Sequence, residues 1–371
     1  MSVKRNIINS TTTIRMAAMV LLACTALPAA SQEEHKHRGF FRQIGHGLGE
    51  FVKEFSRIDT AYVEPQHYNF TVMLQNTNTY EVYRLTTENG NSFTFAPQPS
   101  VKLGPYVGWR WVFLGYTIDL NHLSSDNKKK EFDLSIYSSQ IGIDLFYRNT
   151  GHDYKIRSAS LGNDIDTSPL KDVSYNGLSA SIKGFNLYYI FNHRKFSYPA
   201  AFSQSTMQKR SCGSPLVGIG YTRHTLSIDW NKLRDITTAN LGEEVVKDQM
   251  DSTFVSGKVK YTDVSISGGY AYNYAFAPRW LFAASLSLAL GYKQTTSDLE
   301  KQSFSLRNFS IKNINLDGVG RFGLVWNNNR WYSGASVILH SYNYSKKQFS
   351  TNNFFGSVNI YVGYNFGKRK Q

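Results

Sequence analysis

From Val264 to Tyr292 the chain alternates residue by residue, with one break at Pro278-Arg279. Val264, Ile266, Tyr270, Tyr272, Tyr274 and Phe276 stand on one face, opposed by Ser265, Ser267, Gly269, Ala271, Asn273 and Ala275. After the break, Phe282, Ala284, Leu286, Leu288, Leu290 and Tyr292 oppose Ala283, Ser285, Ser287, Ala289 and Gly291. A period of two is strand geometry, because successive side chains point to opposite faces. Ordinary sheet strands average about 5–6 residues, whereas a strand crossing a bilayer needs about 9–11. Runs this long suit a membrane barrel, which turns large apolar residues outward and keeps small or polar ones inside. A soluble sandwich hides its large residues instead. Alternation cannot distinguish the two faces, so the choice rests on strand length and on the aromatic residues at the strand ends.

Those aromatics recur in a pattern. Val101–Leu120 reads as two strands folding back around Trp109-Arg110-Trp111, and the Arg-Trp pair returns as Arg279-Trp280 and Arg330-Trp331. Trp109, Trp111, Trp280, Trp326 and Trp331 all lie beside short breaks, which predicts a tryptophan belt at one membrane interface. Short connections are expected at 110, 149–152, 277–279 and 327–330, with a strand near Asp153–Ser160 after the second of them. Long polar ones are expected at 121–130, 161–176, 230–254, 294–304 and 345–351. Short inner turns and long outer loops are the asymmetry of bacterial outer-membrane barrels. Residues 193–208 break this rule as a long inner connection. The count gives an all-β, antiparallel, up-and-down transmembrane barrel of about twelve strands, within a range of roughly ten to fourteen. A last strand running to Phe366 resembles the signal read by the barrel-insertion machinery, although a basic tail, Lys368-Arg369-Lys370, follows it.

Composition agrees with this class. Aromatic residues make up 15% of the 371 residues and charged residues only 18%, below the quarter or so usual in soluble domains. The net charge of +14 raises nucleic acid as a partner. An export signal argues against it and leaves outer-membrane lipid and anionic surface glycolipid as the expected partners. In that signal, Lys4, Arg5 and Arg15 precede the apolar run Met16–Leu27, and Ala29, Ala30 and Ser31 follow. Cleavage near Ala30 competes with a lipoprotein reading, in which Leu21-Leu22-Ala23-Cys24 presents Cys24 for lipidation. If Cys24 leaves with the signal, Cys212 has no disulfide partner. The domain plan is a signal peptide over 1–30, a periplasmic segment over 31–66, the barrel over 67–367 and the tail over 368–371. Within 31–66, Phe40, Ile44, Leu48, Phe51, Phe55 and Ile58 have amphipathic helix spacing.

Three segments carry a family resemblance: Asp59-Thr60-Ala61-Tyr62-Val63-Glu64-Pro65, Gly108-Trp109-Arg110-Trp111 with Leu114-Gly115-Tyr116, and Phe196-Ser197-Tyr198-Pro199-Ala200-Ala201-Phe202-Ser203-Gln204. Together they resemble an uncharacterised family of outer-membrane barrels from Bacteroides-type bacteria, over roughly 59–367. The resemblance implies fold and location and supplies no activity or site residues.

Chemistry is sparse. His122 and Ser124 share a strand face near Asp119, an order that suits a base, a nucleophile and an orienting carboxylate in a lipid hydrolase. Such pairs also arise by chance, as His340-Ser341 shows. No metal-ligand cluster and no cofactor are expected. Asp119, Asp144 and Arg321 fall on the small, polar face and are the expected lumen charges. The favoured role is an integral barrel with a structural, binding or small-solute channel function. The alternatives are an outer-membrane lipid hydrolase and a secreted soluble β-barrel holding a hydrophobic ligand.

Overall fold

The outward face carries the large apolar residues. In the computed structural model, Ile266 is 67% exposed and Leu290 63%, while Ala271, Asn273 and Ser285 on the opposite parity are buried. The structure describes residues 58–369 apart from 88, 110–111, 116–117, 121–129, 163–164, 251–256, 298–310 and 346–348. The export segment, Cys24 and the amphipathic stretch up to Phe55 lie outside the described residues.

The chain enters through β1 (Val63–Pro65) and then rises along β2 (Tyr68–Thr87). Next come β3 (Ser92–Pro97), β4 (Ser100–Trp109), β5 (Val112–Gly115), β6 (Ile118–Asp119), β7 (Lys130–Tyr137) and β8 (Ile141–Asn149). An excursion follows through β9 (Tyr154–Ser160) and β10 (Ser174–Tyr175) before β11 (Leu178–Ile190). After β11 come helix α1 (Pro199–Phe202), β12 (Thr206–Gln208) and β13 (Cys212–Ile228). Helices α2 (Trp230–Leu241) and α3 (Glu243–Gln249) then precede β14 (Gly257–Ala277), β15 (Trp280–Ser297), β16 (Ile314–Asn327), β17 (Trp331–Ser345) and β18 (Phe349–Lys368).

The wall is antiparallel and runs β7-β8-β11-β13-β14-β15-β16-β17-β18-β2-β4, with β5 and β6 together on the far side of β4. Counting β5 and β6 as one, the described residues give twelve wall positions. First and last strands meet: β18 pairs with β2 from Phe349↔Thr87 to Lys368↔Tyr68. Among the described residues no pairing joins β5 or β6 to β7, so the sheet is open at that seam.

One expected connection is corrected. The turn near 149–152 is not a short inner turn, and Tyr154–Ser160 is not a wall strand. The short turn is Ser138–Gln140, where Ser138 N donates to Ile141 O at 2.8 Å and Ser138 Oγ accepts from Ile141 N at 2.9 Å. Its strand, β7, begins Lys130-Glu131-Phe132-Asp133 and so reads as a continuation of the preceding polar loop. β9 instead joins β3 and β10 in a small extension at the long-connection end.

That end also corrects the polar loop expected over 230–254. Asp229 caps α2 by accepting from Lys232 N at 3.2 Å, as N-cap carboxylates do. Trp230 and Leu233 of α2 then pack with Val246, Phe95, Ile156, Leu170 and Tyr175 in a dry core. The Tyr175 hydroxyl donates to Asp229 O at 2.7 Å. Burial, reinforced by the Asp229 charge, pushes its pKa up.

Inward aromatic side chains lie over the neighbouring strand where a glycine opposite leaves room. A Cβ on Gly363 would land on the Tyr332 ring, whose hydroxyl bonds Thr71 Oγ1 at 2.8 Å. Gly363→Val is therefore expected to cost about 1–3 kcal/mol by overpacking. Urea unfolding of the refolded chain checks the loss, and adding Tyr332→Ala should recover part of it.

Candidate functional site

The lumen holds the described ionisable and aromatic constellation, and it is filled in layers. An eight-strand barrel is already just wide enough to be filled by its own side chains. Twelve positions enclose more space, and here two devices take it up.

The first device is the long connection between β11 and β13. It folds back into the short-turn end, with α1 and the flanking residues inside the barrel. Tyr198 is fully buried and donates to Ser285 Oγ of β15 at 3.2 Å. Asn273 Nδ2 of β14 donates to Ser197 O at 2.7 Å, and Gln204 Nε2 donates to Tyr361 OH of β18 at 2.7 Å. Ala200 and Ala201 lie against Leu281, Ala283 and Val325. The segment thus touches strands on several sides and plugs the mouth. A two-stranded ribbon holds it there: β1 pairs with β12, and Lys209 N donates to Tyr62 O at 2.7 Å.

The second device is contact between opposite walls. β8 and β17 stand six positions apart in the twelve, which makes them diametrically opposed. Yet the ring centroids of Phe146 and His340 are only 6.4 Å apart. His340 also stacks on Phe355 at 4.9 Å, and Tyr342 stacks on Phe355 at 5.3 Å. His224 of β13 reaches Tyr342 of β17 at 5.2 Å. Inward side chains of opposed strands therefore meet.

Charges sit on either side of this aromatic layer and are paired. Between it and the plug, Arg321 Nη2 of β16 meets Asp144 Oδ2 of β8 at 2.5 Å. Ser135 Oγ and Tyr137 OH donate to Asp144 Oδ1 at 2.7 and 3.1 Å, and Arg321 Nη1 donates to Tyr198 OH at 3.3 Å. The guanidinium also lies over the Tyr188 ring, 5.5 Å from its centroid. Further toward the long connections, Lys293 is 1% exposed. Its ammonium lies 2.7 Å from Asp317 Oδ1 and 3.9 Å from Asp263 Oδ2, and donates to Asn343 O at 2.5 Å. Such groups are tolerated in a low-dielectric interior only when paired and hydrogen-bonded.

Asp144 and Arg321 are both buried and contact each other across five wall positions. Asp119 is half-buried on β6, opposite Lys102 in register. His122, Ser124 and Trp111 lie outside the described residues. Trp109, Trp280, Trp326 and Trp331 fall in one row at the short-turn end. There Trp280 is paired directly with Trp326, Trp109 with Phe70, and the Trp331 ring lies 4.7 Å from Tyr364. Among the described residues no group of three His, Cys, Asp or Glu side chains is placed to hold a metal ion.

Lys293, Asp263, Asp317 and Arg148 were not singled out in the sequence. Strand parity carried the signal, because Asp317 shares a face with Arg321, and Arg148 shares one with Asp144. The plug had no such signal, since its partners come from strands far along the chain.

Residues 57–366 match the model of a domain of unknown function, DUF4421. The chain belongs to this family. No curated protein matches it significantly. Among solved structures, it is similar to the outer membrane protease OmpT from Escherichia coli, at 8% identity and a TM-score of 0.34, covering 82% of this chain and 98% of that one. The translocator domain of the autotransporter NalP from Neisseria meningitidis matches at 11% identity and a TM-score of 0.28, over 88% and 95% of the two chains. The toluene transporter TodX of P. putida matches at 9% identity and a TM-score of 0.25, over 81% and 91%.

Removing one partner of the lumen ion pair isolates the test of its role. Arg321→Met leaves Asp144 buried without its cation and is expected to cost about 3–5 kcal/mol. Arg321→Met with Asp144→Asn should recover most of that loss in the same urea unfolding measurement.

Proposed function

We propose that this DUF4421 chain is an integral outer-membrane β-barrel whose lumen is closed, acting as a structural or binding scaffold rather than a standing pore. One observation carries the reading: large apolar residues face outward while paired charges, a plug and touching opposite walls fill the inside. A soluble protein has the reverse arrangement. A band of exposed Ile266, Leu286, Leu290 and Ile360 is the surface that hydrocarbon would cover.

The same reading orients the chain. Short turns and the row formed by Trp109, Trp280, Trp326 and Trp331 stand at the periplasmic headgroup level, a depth favoured by amphipathic aromatic rings. The helical cap with α2 and α3 then faces outward, toward the surface glycolipid. The barrel-insertion machinery is the expected partner in biogenesis, reading the strand that ends at Phe366. The sequence resemblance to barrels of Bacteroides-type bacteria supports the same location.

Three measurements test this. The refolded protein should migrate differently in gels before and after heating; identical mobility, with recovery in a soluble fraction, would sink the membrane assignment. In planar bilayers the intact chain should give no steady conductance, and channel events should require both a glycine-serine linker in place of residues 198–204 and truncation of the aromatic layer, with Phe146, His340, Tyr342 and Phe355 all replaced by Ala. A steady open channel from the intact chain would overturn the closed-lumen reading. Leu290→Arg on the outward face should lower insertion stability by about 2–4 kcal/mol if it sits near the bilayer midplane.

A further inference from the structure

The plug does not fill the short-turn end completely. Between it and the hairpin joining β14 to β15 lies a cleft of about 530 Å³, within the range of small-molecule sites. Its floor is apolar, formed by Ala200 of the plug with Leu281 and Val325 of the wall, and Phe276 and Met207 flank it. Its polar lining is uneven. Arg279 contributes a cation, and so does Lys209, whose Nζ also donates to Thr60 O at 2.9 Å. Glu64, the one carboxylate of the lining, is already engaged, accepting from Asn329 Nδ2 at 3.0 Å and lying 3.6 Å from His67 Nε2.

Two further observations point to a ligand. Asn327 lines the cleft and is 4% exposed, yet its Nδ2 has no hydrogen-bond partner. Its Oδ1 is spoken for, accepting from Asn329 N at 2.8 Å, so the free group is a buried donor. Leaving a buried donor unpaired costs about 1–3 kcal/mol, and an acceptor oxygen in the cleft would remove that cost. Arg279 also occupies the second position of a two-residue turn with φ 69°, a left-handed conformation suited to glycine. A long cationic side chain kept at a position where glycine would be relaxed is an outlier of the sort that clusters at ligand clamps.

We infer that this cleft binds an anionic amphiphile: an aliphatic tail on the Ala200–Leu281–Val325 floor and a carboxylate received by Asn327 Nδ2, Lys209 and Arg279. The tail accounts for the apolar floor, and the carboxylate satisfies the orphan donor and balances the one positive charge left by Lys209, Arg279 and Glu64. A neutral alcohol of the same length satisfies at most the amide. A phosphate monoester shares the headgroup charge, so free carboxylate and lipid phosphate are two sources of one chemistry and are separated by experiment.

The probe is laurate, titrated calorimetrically into the full-length refolded barrel held in nanodiscs of zwitterionic lipid, with empty nanodiscs as the partition control. Dodecanol and dodecyl phosphate are titrated in parallel. The expected result is saturable binding of laurate at one site per chain, with dodecanol at least about tenfold weaker. Arg279→Gly removes the guanidinium while relaxing the turn, so it should fold as well as the parent and bind laurate about tenfold more weakly. Asn327→Asp, which keeps the Oδ1 acceptor and loses the donor, should weaken binding by a similar factor. Tighter binding of dodecyl phosphate than of laurate would assign the site to lipid phosphate and overturn the carboxylate assignment. Absence of saturable binding, equal affinity for dodecanol, or no change in Arg279→Gly would overturn the site itself. A barrel that inserts and shows heat-modifiable mobility but binds no laurate sinks this inference alone and leaves the closed-barrel reading intact.

Discussion

Every backbone amide and carbonyl in a barrel wall needs a partner on the neighbouring strand, and in hydrocarbon no water substitutes for one. The rest of the structure depends on meeting that demand between β2 and β18, which stand at opposite ends of the described chain. Their ladder runs unbroken in register from Phe349↔Thr87 to Phe366↔Phe70. That register fixes which residues look inward. A slip of one residue would carry Tyr361 and Phe355 to the outside and Ile360 into the lumen. The alternation of large and small residues is therefore what makes a single closure better than its neighbours.

Once the wall is set, the interior becomes a packing problem with polar pieces. Aromatic rings from opposed strands supply bulk, and Arg321 and Lys293 supply charge that must be answered locally. Asp144 and Asp317 answer it from different elements, so each pair also ties parts of the wall together. The plug extends the same logic to the mouth. Tyr198 is at once part of the aromatic filling and an acceptor for the Arg321 guanidinium, so plug and ion pair hold each other in place.

Much of this was legible in the sequence because strand parity is local. The period of two in Val264–Phe276 identifies the wall, and the same parity puts Asp144 and Arg321 on the inner face without reference to any partner. Twelve positions were also countable, although β7 was hidden by Lys130, Glu131 and Asp133 and its place was taken by β9. Helix α2 was readable in principle from the Asp229 cap and the spacing of Leu233, Ile236 and Leu241, but its polar residues concealed it. What parity cannot show is a partner distant in sequence. The meeting of Phe146 with His340, the seating of Tyr198 against Ser285 and the cleft beside Asn327 all follow from how the wall curves, and no window of the sequence contains that curvature.

The plug lies near the middle of the chain, whereas the β2–β18 seam joins its two ends. A segment lodged between walls is held by strands far from it in the chain, and the β1–β12 ribbon anchors it at its own end. Residues 196–204 rest against β15 and β16, and β18 adds the Tyr361 hydroxyl to the same seat. β18 thus works as a clasp on the plug: without it Gln204 loses its Tyr361 partner, and β2 and β17 each lose a neighbouring strand.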